Sequence, residues 1–154
     1  MRLQIVPGLH RAAHRVALHL DAADPPLGLT QGECHLLAQL HEAGPSSVGA
    51  LHEAFAHKRS TLTSYLDRLE GADLVTRELH PEDRRSSLVA LTAAGRTIAS
   101  RVHRRLVQLE DAALARLSER DLRGFQAVLH ALQEQVDAEL RPPDAAARKR
   151  RKRR

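Results

Sequence analysis

At 154 residues the chain suits one domain with room for a buried core. Aromatic residues make up 2% of it, so Leu, Val and Ala must fill that core, and modules that stack single-stranded bases on aromatic rings are disfavoured. The formal charge of +5 belongs to one end: without the seven basic residues Arg148–Arg154, 17 basic residues face 19 acidic ones, a net charge of −2, so any grip of the folded body on a polyanion must come from a local patch.

The single cysteine, Cys34, cannot staple the domain and fits a reducing compartment. Met1–Leu20 is interrupted by Pro7 and carries His10, Arg11, His14 and Arg15, unlike a signal peptide. No run approaches the roughly 20 apolar residues that span a bilayer. The expectation is a soluble, cytoplasmic protein with no membrane partner.

In chain order, Leu9, Ala13, Val16 and Leu20 form a helical stripe over Leu9–Ala22, which Asp24-Pro25-Pro26 ends. Thr30-x-x-Glu33 is a capping box that opens a helix running to Ala43, with Leu36, Leu37 and Leu40 inward and Gly44-Pro45 as its stop. Ser47 caps a short helix over Val48–Phe55. Ser60–Gly71 forms the next, with Leu62, Leu66 and Leu69 on one face. Leu74–Leu79 and Leu88–Leu91 read as two strands of a hairpin, and its tip holds Asp83, Arg84 and Arg85. A long helix follows from Thr92 to about Leu117. Ser118-x-x-Asp121 then starts the last, striped by Leu122, Phe125, Val128, Leu129, Leu132, Val136 and Leu140. Beyond Pro142-Pro143, the seven like charges repel one another and are expected to stay disordered, either as a plain solvated tail or as a non-specific phosphate tether.

Two short helices, a tight turn and a hairpin make a mainly α (α+β) winged helix-turn-helix. The second helix of such a pair enters the major groove. Lys58, Arg59, Ser60, Thr61, Thr63 and Ser64 lie away from the Leu62/Leu66/Leu69 stripe, and as hydroxyls and cations they suit contacts to phosphates and base edges. Arg68, a turn further on, is placed to reach a phosphate. The plainer reading of these residues is an ordinary solvated helix face; the hairpin that follows favours DNA.

The run Leu29-Thr30, Gly44-Pro45-Ser46-Ser47, Leu51, Arg59-Ser60-Thr61-Leu62-Thr63 and Leu66-Asp67-Arg68-Leu69-Glu70 resembles the MarR (multiple-antibiotic-resistance repressor) family. Leu74-Val75-x-Arg77, Asp83-x-Arg85 and Val89-x-Leu91-Thr92-x-x-Gly95 complete the pattern, over roughly residues 29–100. The resemblance implies a homodimeric bacterial transcription regulator, usually a repressor, that binds a palindromic operator in double-stranded DNA and leaves it on meeting a small molecule. It also implies that Asp83 orients Arg85 for the minor groove, with Arg84 and Arg77 as phosphate or structural partners. On this reading residues 1–141 are one MarR-like domain. Its winged helix-turn-helix covers about 30–92, with dimerisation helices at about 7–22 and 92–141, and 142–154 is the basic tail. Two departures stand out: Ala56-His57 replaces a small residue followed by an aliphatic one, and Asp73 stands where glycine is common. Asp tolerates the left-handed conformation better than most residues.

Sensing is less legible. Ten histidines invite a metal reading, with His10/His14 four apart on a helix, or Cys34, His35 and His103 from two helices. No cluster supplies three or four ligands close in sequence, so solvated histidines and a packed thiol are the simpler reading, and neither metal nor cofactor is expected. Val16, Leu20, Leu37 and His41 are candidate walls of an effector site. A metal- or redox-responsive regulator and an architectural DNA binder acting through the tail are the alternatives. No nucleophile, base and oxyanion donor fall in a recognisable arrangement, so an enzyme is not expected.

Overall fold

The computed structural model describes residues 3–55, 58–79 and 87–140. Its elements run α1 (Val6–Asp21), α2 (Gln31–Ala43), β1 (Ser46–Ser47), α3 (Val48–Phe55), α4 (Arg59–Gly71), β2 (Val75–Leu79), β3 (Ser87–Leu91), α5 (Ala93–Leu114) and α6 (Glu119–Leu140). The order is the winged helix-turn-helix expected from the sequence. Helix α1 starts three residues before the predicted Leu9, because Pro7 lies in its first turn, where a missing N–H is harmless. Ala56-His57, residues 80–86 with Asp83, Arg84 and Arg85, and the tail lie outside the described residues.

The sequence reading missed β1. Ser46 and Ser47 pair antiparallel with Val89 and Leu88, so β3 is the central strand of a three-stranded sheet ordered β1-β3-β2. A two-residue strand carries no alternation to detect, and the Ser47 hydroxyl, which accepts from the Ala50 amide at 3.1 Å, gave only its capping signal. Strands β2 and β3 pair in register from Val75 opposite Leu91 to Leu79 opposite Ser87.

The described residues form two compact units, divided after Leu109. In the first, Leu36, Leu37 and Leu40 of α2 pack with Leu51 of α3, Leu62, Leu66 and Leu69 of α4, and Val75 and Val89 of the sheet. A second cluster joins Leu20, Cys34, Ala38 and Val102. Arg105 of α5 donates to the His19 carbonyl at the end of α1 through Nε and Nη2, at 2.9 and 2.6 Å, where cations offset unpaired helix carbonyls. In the second unit, the predicted Ser118/Asp121 cap forms, the Ser118 amide and hydroxyl donating to the Asp121 carboxylate at 2.9 and 2.6 Å. No residue of α6 is fully buried, and Phe125 and Val136 are about half exposed, at 52% and 51%.

Two residues hold the sheet to the helices on either side. Asp73 adopts φ 56°, the left-handed turn after α4 that the sequence allowed for. The Thr92 hydroxyl donates to the Asp73 carbonyl at 2.7 Å and accepts from the Gly95 amide at 2.9 Å, capping α5 against the start of β2. Gly95 is required there, since a Cβ on it would collide with the Leu74 carbonyl oxygen. Gly95→Ala should therefore destabilise the chain by about 1–3 kcal/mol through overpacking. Gly124→Ala, in the open middle of α6, should instead gain up to about 1 kcal/mol. Equilibrium urea denaturation of both variants measures the contrast.

Candidate nucleic-acid interface

Helix α4 is anchored by its buried stripe of Leu62, Leu66 and Leu69, each at 2% exposure or less. The opposite side presents Lys58, Arg59, Ser60, Thr63 and Ser64, all exposed, while Thr61 is half-buried. Among the described residues neither Lys58 nor Arg59 is in an ion pair. Thr63 donates its hydroxyl hydrogen to the Arg59 carbonyl at 2.9 Å, which leaves the oxygen as an outward acceptor. Arg59, Leu62 and Thr63 line a hollow of about 490 Å³ with Val48, His52 and Glu53 of α3 and Ser87 of the wing. Sequence reasoning did not single out His52 or Glu53; an i,i+1 pair of polar residues on a short helix gives no pattern to notice.

Arg68 occupies a different environment from the rest of the predicted set. Its Nε donates to Glu33 Oε1 at 2.5 Å, its Nη1 donates to Ser64 Oγ at 2.8 Å, and its guanidinium lies over the Tyr65 ring, 5.3 Å from the centroid. Half of the side chain, 50%, remains exposed, so Arg68 is first a fastener of α4 to α2, with one edge open to solvent. Its partner Glu33 is 4% exposed. The other carboxylate oxygen, Oε2, accepts from the Thr30 amide at 2.7 Å and the Thr30 hydroxyl at 2.9 Å. The sequence marked Glu33 only as a helix cap. Its second role depends on a residue 35 positions away, which local spacing cannot show.

Burial pushes the Glu33 carboxyl up, yet hydrogen bonds from Thr30 and Arg68 and the Arg68 charge outweigh it and hold the group below its ordinary value. A carboxyl depressed in the folded state stabilises that state where it is ionised, and the contribution disappears as pH falls through the folded value. Glu33→Gln should lower stability at pH 7 by about 1–3 kcal/mol, the range for a charge-assisted hydrogen bond with a half-solvated partner. The gap between the two proteins should narrow below the ordinary value of 4.5, as read by denaturation at a series of pH values. A gap that stays constant down to acid pH would show that the carboxylate charge is not involved.

Arg77 of β2, left open as a phosphate or structural partner, pairs with Asp67 and, at 2.9 Å, with Glu70, and so ties the wing strand to α4. Asp83, Arg84 and Arg85 lie outside the described residues.

The candidate sensing residues are dispersed. Leu37 belongs to the main core and Leu20 to the second cluster. Val16 is half-buried, and His41 is exposed with its ring 4.9 Å from that of His103. Leu20 lines a hollow of about 460 Å³ with Ala17, Pro26, Leu27 and Thr30, and the other three candidates are not among its walls. The pairing with His41 gives His103 a neighbour outside the predicted Cys34/His35 set. No group of three or more His, Cys, Asp or Glu residues that could hold a metal ion occurs among the described residues. Cys34 is fully buried, and burial together with the nearby Glu33 and Asp21 pushes its thiol up to about 11. It is therefore protonated at neutral pH and a poor nucleophile. No helix among the described residues is long and apolar enough to cross a membrane.

The sequence model of the MarR family matches residues 29–87, the span from the start of α2 to the wing. Over 85 residues the chain is 38% identical to an uncharacterized HTH-type transcriptional regulator, YcgE, of Bacillus subtilis (strain 168), covering 54% of this chain and 55% of that protein. The chain thus spans a little over half the length of this curated relative. Among solved structures, a probable transcriptional regulator from Pseudomonas aeruginosa superposes with a TM-score of 0.64 at 28% identity, covering 84% of this chain and 96% of that one. The S. aureus MepR–DNA complex superposes with a TM-score of 0.73 at 18% identity, covering 88% and 99%, a likeness of fold. Over residues 29–87, the segment on which the winged helix is built, the chain is similar to the MarR family.

Proposed function

We propose that the chain is a dimeric, sequence-specific transcription regulator of double-stranded DNA that works in the cytoplasm as a repressor and is released by a small-molecule effector. The observation that carries this reading is the exposed face of α4. Lys58 and Arg59, in no ion pair among the described residues, and the exposed hydroxyls of Ser60, Thr63 and Ser64 stand at the start of a helix whose other side is locked into the core, beside a strand held by Arg77. The relative's description as an HTH-type transcriptional regulator and the DNA held by MepR support the same reading.

In this scheme Arg59, Ser60, Thr63 and Ser64 approach base edges and phosphates in the major groove. Lys58 and the open edge of Arg68 reach phosphates, and Thr61 supports the helix from its half-buried position. Arg84 and Arg85 act from the wing, with Asp83 fixing Arg85 for the minor groove. Selection of bound sequences from random duplexes should return a palindrome with half-sites about 10 base pairs apart. At fixed salt Arg85→Ala should weaken binding to that site by about 1–3 kcal/mol, and Thr63→Ala should relax discrimination against mismatches. Ending the chain at Ala147 should flatten the salt dependence and spare specificity. Selection that returns no common sequence, with binding lost on truncation, would favour the architectural alternative.

Dimerisation is proposed from α6. A helix of 22 residues with no buried side chain and Phe125 and Val136 half exposed has an apolar face suited to the same helix of a second copy. Phe125→Glu combined with Val136→Glu should convert dimer to monomer in analytical ultracentrifugation. A doubly substituted protein that still sediments as a dimer would place the interface elsewhere.

A further inference from the structure

We infer that Arg101, Arg104 and Arg105 form a binding site for a compact oxyanion, such as a phosphate or small carboxylate, at the junction of α5 with the α1–α2 connection. The three residues border one cavity of about 150 Å³ together with Leu27 and Gln108, and Asp24 is the one acidic residue lining it. That volume suits an oxyanion rather than a drug-sized molecule. All three arginines come from one stretch of α5, spaced i, i+3 and i+4, which puts them on neighbouring parts of one helix face.

Among the described residues none of the three is in an ion pair. Arg101 donates through Nη2 to the Pro25 carbonyl at 2.8 Å, and Arg105 donates twice to the His19 carbonyl. Those bonds hold both guanidinium groups in place yet use only part of the five N–H donors each carries. The Arg104 side chain is exposed and makes no hydrogen bond among the described residues. Two pre-positioned forks and one free one are suited to receive an oxyanion, which accepts charge-assisted bonds from several N–H groups at once. Asp24 opposes such a ligand by its own charge and so provides a second handle on the site.

Isothermal titration of the full-length protein with inorganic phosphate, and separately with benzoate, at constant ionic strength tests the site. One equivalent of phosphate should bind, and Arg104→Ala should weaken it by about tenfold, the loss of one charge-assisted hydrogen bond. Asp24→Asn should tighten binding by a few-fold, roughly the effect of removing one partly screened like charge. Arg123→Ala, which deletes an equal charge on α6, should leave it unchanged. Benzoate binding with the same pattern assigns the site to oxyanions generally, and phosphate binding alone assigns it to phosphates. No saturable binding, or binding that Arg104→Ala and Asp24→Asn both leave unaltered, would overturn the proposal. So would a loss on Arg104→Ala confined to the affinity for random duplex DNA.

Discussion

The buried carboxylate of Glu33 is the constraint on which the arrangement of the interface rests. It closes the first turn of α2 through Thr30 and grips Arg68 of α4 through its other oxygen. A carboxylate at 4% exposure is tolerable only because all this hydrogen bonding converges on it. The result is a polar clamp at the edge of a leucine core. Leucines alone fix the spacing of two helices but permit sliding and rotation, since apolar contact has little directionality. A charge-assisted bond with a defined donor and acceptor removes that freedom. Arg77 does the same for the wing through Asp67 and Glu70, so α4 is tied on one side to α2 and on the other to β2.

This organisation also divides the basic residues by task. Arg68, Arg77, Arg101 and Arg105 are committed, wholly or in part, to internal partners. Lys58 and Arg59 carry no such commitment among the described residues and stand at the N-terminal end of α4. A count of arginines would have treated all of these alike. What distinguishes them is whether a carboxylate or a helix-end carbonyl lies within reach, and that is a property of the fold.

Much of the fold was legible because its signals are local. The Thr30/Glu33 and Ser118/Asp121 boxes, the Leu62/Leu66/Leu69 stripe and the Asp73 turn each declare themselves within a few residues. The exposed side of α4 followed from the same stripe by subtraction. The parts that escaped depend on distant partners. Ser46-Ser47 becomes a strand only because Leu88 and Val89 lie beside it. Glu33 becomes a clamp only because Arg68 is brought to it. That Leu37 and Leu20 belong to different clusters escaped for the complementary reason: apolar periodicity says that a side chain points inward, and does not say which of two clusters it joins.

The two-residue strand β1 bears on how the molecule assembles. Its pairing with β3 closes a chain loop of about forty residues that contains the whole of α3, α4 and β2, and closing a loop of that length is entropically unfavourable by a few kcal/mol. Two residues of ladder cannot offset that alone. The latch can hold only after α4 and the β2–β3 hairpin, whose contacts are closer in sequence, have already drawn its ends together. Ser46 and Ser47 thus belong to the last stage of folding and the first of unfolding. Their amide protons should be among the earliest of the sheet to exchange with solvent.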